Sequence, residues 1–486
     1  MMYIGIDLGT SSVKMILCDS MGKIINSVNR EYPISFPKEG YSEQNPEDWY
    51  NETIEGLKAL TEGYGDKIKG LSIAGQMHGL VMLDENDELL RECILWNDSR
   101  SSKECDYLNC EIGVKKLTEW TANIAFPGFT APKILWVKNN ERDIFDRCKK
   151  IMLPKDYLVY RLTGEFVTEP SDASGLLLFD VKNKCYSKEM LELCSITEDM
   201  LPKVHESYDK IGTVKKELCE LFGWGKVIVA PGAGDNAAAA VGMGVTGGNM
   251  CSISLGTSGT VFITSDKFTV DEKNALHSFA HADGGYHLMG CILSAASCNK
   301  WFLEDILNSK DYSECEKGIA DGENNVIFLP YLMGERSPHN DPYARGAFVG
   351  MSMDTERGDM IKAVMEGVCY ALRDSVEVAR GQGIVIDEVR VCGGGAKSSL
   401  WCKILANVLR VKVLKTNCQE GPSFGACILA SVASGEYESV KAATDNTVKV
   451  VSELMYDEEA AKKYDKGYEK FTLLYKSLKD WYRYEK

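Results

Sequence analysis

The chain has 486 residues, 44% hydrophobic and 26% charged, the balance of an ordinary globular protein and more than one hydrophobic core organises. Its formal net charge of −16 argues against non-specific binding to nucleic acid or to an anionic membrane, both of which need basic patches. It leaves room for an anionic ligand held by backbone N–H groups and a metal.

The seventeen cysteines are odd in number and contain no C-x-x-C pair. They are scattered through apolar segments (Cys251, Cys291, Cys392, Cys402), the pattern of small buried thiols in a reducing cytoplasm, not of a disulfide framework or zinc site. The opening "MMYIGIDLG" has no basic lead, so no secretory leader is expected, and no apolar run approaches the length of a membrane span.

In chain order, "YIGIDLGTSSVKMILCD" (3–19) reads as strand, tight polar turn, strand, with Asp7 standing inside an apolar strand. Residues 47–62 carry a helical period, with Trp49, Ile54, Leu57 and Leu60 on one face. "GLSIAGQ" (70–76) and "KVIVAPG" (226–232) are short strands ending in glycine, and an alanine-rich helix follows the second, with Asp235 at its N-cap. "ISLGTSGTVFIT" (253–264) repeats "IDLGTSSVKMIL" (6–17) about half a chain later, which predicts two homologous halves joined near 245–250. In the second half, 359–380 is a long amphipathic helix, and strand 388–393 leads through three glycines into a helix near 398–410. Tyr464, Tyr468, Phe471, Leu474, Leu478 and Trp481 recur at helical spacing and predict a packed C-terminal helix.

Phosphate oxygens want several N–H donors converging at close range, which glycine permits and Thr and Ser hydroxyls supplement. Gly9, Thr10, Ser11 and Ser12 fit that need, and so do Gly256, Thr257, Ser258 and Gly259. Either stretch alone is an ordinary hairpin turn; the pair in a duplicated chain favours a nucleotide. Only the first copy has an acid before its glycine, Asp7 against Ser254, and one hydrated magnesium needs one carboxylate. Asp235 taken alone is a helix cap. Its flanking Gly232 and Gly234 and its place beyond a strand's C-terminal end also suit a base beside a substrate hydroxyl. "GGGA" (Gly393, Gly394, Gly395, Ala396) exceeds what a strand–helix turn needs and suits a ribose or adenine laid on backbone. "GQMHG" (75–79) and "ILWNDSR" (94–100) offer Met77, His78, Trp96, Asn97 and Asp98 for a sugar, although each alone is more often structural.

These residues lie in longer stretches that resemble the FGGY carbohydrate kinases. "GFTAPKILWVKNN" (128–140) and "GAFVGMSMDTERGDMIKAVMEG" (346–367) are similar to the two family signatures. "LPKDYLVYRLTGEF" (153–166), "SDASG" (171–175), "FLPYLMGERSPHNDP" (328–342) and "EGPSFGA" (420–426) extend the similarity over most of the chain. The resemblance implies an α/β, two-domain actin-like (ribonuclease H-like) ATPase fold with a deep inter-domain cleft. It implies an N-terminal domain at 1–246 and a C-terminal domain at 247–486; the C-terminal helix carries little family information, and packing back across the cleft is one option for it. It implies ATP-dependent phosphorylation of the terminal hydroxyl of D-xylulose with Mg2+, "QMHG" favouring a ketose over glycerol; other pentuloses, hexuloses or gluconate are the alternatives, and a non-catalytic actin-like sugar sensor a more distant one. By the same resemblance Asp235 is the catalytic base, and Met77, His78, Asp235 and Asn236 contact the sugar. Asp7 orients magnesium, 9–12 and 256–259 hold phosphates, and 393–396 hold adenosine. Many members carry Gly where this chain has Ser12 and Ala233. A homodimer is expected, with no nucleic-acid or membrane partner.

Overall fold

The structure is a computed structural model that describes residues 1–319, 324–418 and 420–484. It divides into two compact units: residues 1–247, 278–287 and 420–449 form the first, and 248–277, 288–419 and 450–486 the second. The chain therefore enters the first unit three times, which a single division near 246 does not describe. Among the described residues no helix is long and apolar enough to cross a membrane.

The first unit is built on β1 (Met2–Leu8), β2 (Ser12–Asp19), β3 (Ile24–Glu31) and β4 (Ile68–Gly75). β1 runs antiparallel to β2, β2 antiparallel to β3, and β1 parallel to β4. The predicted strand at 226–232 is shorter than its apolar run: β6 (Ile228–Val229) pairs with β4 on one side and with β5 (Gly212–Thr213) on the other. Pro231, which has no N–H for the ladder, ends it. The chain returns to β4 as β7 (Ala233–Gly234). The predicted first helix is α1 (Pro46–Leu60), which starts on an Asn45 cap with proline in its first turn and buries Trp49, Leu57 and Leu60. Each such side chain contributes about 1.5–3 kcal/mol on leaving water.

Helix α8 (Gly421–Ala433), far along the chain, packs on β1 and β4. The approach needs glycine: a Cβ on Gly5 of β1 would lie 1.8 Å from the Ser423 carbonyl oxygen. A Cβ on Gly425 would lie 1.9 Å from the carbonyl oxygen of Ala238, in α5 (Asp235–Gly242). Helices α2 (Thr130–Asn140), α3 (Pro154–Thr163) and α4 (Pro170–Ala173) complete the parts of this unit used below.

The second unit repeats the first motif. β8 (Cys251–Leu255) runs antiparallel to β9 (Gly259–Ser265) and parallel to β10 (Glu388–Cys392). β11 (Lys412–Thr416) and β12 (Val450–Leu454) extend the sheet beyond β10. Helices α6 (Arg357–Gly381) and α7 (Ser399–Leu409) match the predicted spans to within a few residues. The C-terminal helix α9 (Glu458–Leu478) packs on α6 and α7 within this unit. Phe471 and Tyr475 are buried there, but Trp481 lies past the helix end and is 71% exposed.

Candidate active site

Asp7 sits next to the end of β1, opposite Lys14 of β2 and beside Ala74 of β4. Lys14 also pairs with Glu420. Burial, and then the charge of Asp235, push the Asp7 carboxyl from its usual 3.8 up to about 7, against the pull of Lys14. A partly buried carboxylate left so short of positive charge is what a divalent cation would relieve. Among the described residues no group of three or more His, Cys, Asp or Glu could hold a metal alone. A metal here would thus rest on Asp7, with phosphate and water completing its shell.

The loop after β1 is gripped from behind. Tyr32 Oη donates to the Gly9 carbonyl at 2.5 Å, Gln44 Nε2 to that of Thr10 at 2.6 Å, and the Tyr32 N–H to that of Ser11 at 3.2 Å. In a trans peptide the N–H points opposite its carbonyl, so the N–H groups of Thr10, Ser11 and Ser12 face the other way. That is the arrangement an anion requires. Trp96, 47% exposed, donates from Nε1 to the Thr10 hydroxyl at 2.9 Å and so borders this loop. Asp98 is a structural residue: its carboxylate accepts from the Ser42 N–H and from Arg100.

The second unit carries the same device. The Ala296 N–H donates to the Gly256 carbonyl at 2.8 Å, and the Ala295 N–H and Ser297 Oγ to that of Thr257 at 2.9 and 2.7 Å. This turns the N–H groups of Thr257 and Ser258 outward. Gly393, at φ +87°, abuts the same loop, since a Cβ there would lie 2.6 Å from the Leu255 carbonyl carbon and 2.9 Å from the Gly256 nitrogen. The 256–259 and 393–396 stretches are thus neighbours, and Gly394 has no atom within 4 Å of where its Cβ would be. Ser258 and Gly259 lead into β9, and Ala396 lies in the turn before the Ser398 cap of α7.

Back in the first unit, Gly234 and not Asp235 is the N-cap of α5; Asp235 is its first residue. The reason is β7, which keeps Gly234 extended on β4. The Asp235 carboxylate accepts from the Asn236 N–H at 2.7 Å and from Asn236 Nδ2 at 2.9 Å. Burial raises its carboxyl to about 6 against the pull of those two bonds.

Met77 and His78 follow β4 directly. Met77 Sδ lies 3.0 Å from the Cβ position of Gly234, one residue from Asp235. His78 is left-handed, at φ +70°. Its carbonyl accepts from Thr130 Oγ1 at 3.1 Å and from the buried Lys133 Nζ at 2.7 Å, and Lys133 also reaches the Gly128 carbonyl at 2.7 Å. Burial lowers the Lys133 ammonium to about 7. His78 Nδ1 is 2.8 Å from the Gly175 carbonyl, which can only accept, so that nitrogen carries a proton and donates it there. The ring stacks on Phe129 at 4.7 Å. Met77, His78, Asp235 and Asn236 therefore line one region of one unit. Thr130, Lys133 and Gly175, which shape it, lie in "GFTAPK" and "SDASG", stretches that sequence reasoning noted without a role.

Two anion-ready loops on duplicated hairpins, with partly buried acids beside the first, are the features a nucleotide-dependent phosphotransferase needs. Comparison with known proteins agrees: residues 2–242 match the N-terminal domain, and 251–434 the C-terminal domain, of the FGGY family of carbohydrate kinases. The chain belongs to that family. It is 40% identical to a xylulose kinase of Escherichia coli, over 90% of this chain and 91% of the relative. A solved structure described as a xyloylose kinase from Brucella ovis is 36% identical, with a TM-score of 0.94 over 99% of this chain and 100% of that one. A gluconate kinase from Lactobacillus acidophilus has a TM-score of 0.93 at 26% identity, covering 98% of each chain.

Proposed function

We propose that this sugar kinase transfers the γ-phosphoryl group of ATP to the terminal hydroxyl of D-xylulose, giving D-xylulose 5-phosphate and ADP. The observation that carries the reading is the grouping of Met77, His78 and the Asp235 carboxylate in one unit. Similarity to xylulose kinases over nine-tenths of the chain supports the choice of sugar.

In this reading the sugar's terminal oxygen attacks the γ-phosphorus as Asp235 takes the hydroxyl proton. The bond from the γ-phosphorus to the bridging oxygen breaks, and its electron pair leaves with ADP. With its carboxyl at about 6, Asp235 is ionised at neutral pH and able to accept that proton. Asp7 would hold magnesium, which supplies positive charge against the phosphates. The outward N–H groups of the two loops would bind the phosphate oxygens, and Gly394 leaves room for the nucleoside beside 256–259. Met77 and His78 would hold the sugar.

Substrate profiling at fixed Mg-ATP, with coupled detection of ADP, tests the proposal. ADP should form only when sugar is present, with the highest kcat/KM for D-xylulose. Preference for gluconate or another ketose would move the substrate, and rapid ADP release without sugar would remove the transfer reaction.

A further inference from the structure

The turn that delivers Asp235, residues 231–234, is tethered at two amides. The Gly232 N–H donates to the Ser207 carbonyl at 3.3 Å, and the Gly234 N–H to the Ser171 hydroxyl at 3.1 Å. Both serines converge on one side chain. Glu169 accepts from the Ser171 N–H at 2.7 Å, Ser171 Oγ at 2.9 Å and Ser207 Oγ at 2.6 Å, and also from the Asp172 N–H at 2.8 Å.

Glu169 is fully buried. Lys155 Nζ stands 3.6 Å away and is shared with Asp156 at 2.6 Å and Asp172 at 3.5 Å. Capping α4 needs only the two amides. The two hydroxyl bonds exceed a cap, and both lead toward the Asp235 turn. The Ser171 hydroxyl gives its single proton to Glu169, which commits its lone pairs to the Gly234 N–H.

We infer that Glu169, acting through Ser171 and Ser207, is a positioning residue that fixes the turn 232–234 and with it the Asp235 carboxylate. The inference rests on Asp235 being the base. Glu169→Gln keeps the shape but replaces one acceptor oxygen with an NH2 that must face a hydroxyl or amide already acting as donor. Ser171→Ala leaves the Gly234 N–H without its acceptor.

Displacement of a reacting group by about 1 Å costs about a hundredfold in rate. Both variants should therefore lose about tenfold to a hundredfold in kcat, with KM for ATP within about twofold of the parent. Circular dichroism and thermal melting, recorded well above the assay temperature, identify the folded fraction. A kcat within about twofold of the parent in both variants overturns the inference. So does a loss that vanishes once rates are expressed per folded molecule. Asp235→Asn separates the two levels of failure. If it is inert while Glu169→Gln and Ser171→Ala both turn over normally, the positioning role fails and the base assignment stands. If it turns over normally, the base assignment fails and takes this inference with it.

Discussion

Asp235→Asn removes a proton acceptor and leaves the shape of the site. The amide oxygen can still accept from the Asn236 N–H at 2.7 Å and from Asn236 Nδ2 at 2.9 Å, so the side chain keeps its direction. A positioned base contributes roughly 10²–10⁴-fold, equivalent to about 3–5 kcal/mol of barrier, and turnover should fall by that factor while ATP binding is retained. The raised carboxyl adds two signatures. In the parent, kcat/KM should drop about tenfold per unit as pH falls below about 6, the acid's folded value; the variant should lack that limb.

A carboxyl raised in the folded state costs stability when ionised. That cost is absent below 3.8, grows between 3.8 and about 6, and is complete above. The shift corresponds to at most about 3 kcal/mol, and less because the side chain keeps some contact with water. The variant should accordingly melt higher than the parent at pH 7.5 and lose that advantage by pH 4. Coupled ADP detection, calorimetric nucleotide titration and scanning calorimetry read the three quantities. Turnover within tenfold of the parent would refute the role of Asp235.

Asp7→Asn should raise the magnesium concentration for half-maximal rate. Parent Mg-nucleotide binding should release a proton near pH 7 that the variant does not, seen as buffer-dependent heat; equal proton release would make Asp7 a core acid. His78→Ala removes the ring held between Phe129 and Gly175 and should raise KM for the ketose at least about tenfold with KM for ATP unchanged, measured by steady-state kinetics. Gly425→Ala sets a Cβ 1.9 Å from backbone and should cost about 1–3 kcal/mol or more in denaturant unfolding. Gly394→Ala meets nothing within 4 Å, so its melting temperature should hold while KM for ATP rises.

The hairpins were legible because a turn followed by alternating apolar residues is a local signal, and "LGTS" stands at the turn of both. The long helix and the strand before the triple glycine were legible for the same reason. What escaped depends on contacts distant in sequence. Nothing local in 420–449 says that it belongs with β1, because the deciding contact is Gly5 against Ser423. Asp235 was read as a cap because aspartate commonly caps; a two-residue pairing, Ala233–Gly234 with β4, moved the cap by one. Trp481 extended an apolar period past the end of its helix. The residues of the candidate site were legible by type and motif. Lys133, Thr130 and Glu169 were not, because each acts through a backbone carbonyl or another side chain, and such roles leave no spacing to read.

The late arrival of helix α8 bears on how the protein is made. Strand β1 is synthesised long before Ser423 and Cys427, so at first its neighbour across Gly5 does not exist. Until then β1 and β4 present an uncovered apolar face, so the nascent polypeptide has a long window in which a chaperone or an aggregate can occupy it. A fragment ending at residue 247 should for that reason come out of cells insoluble, because it lacks 278–287 and 420–449, the rest of its unit.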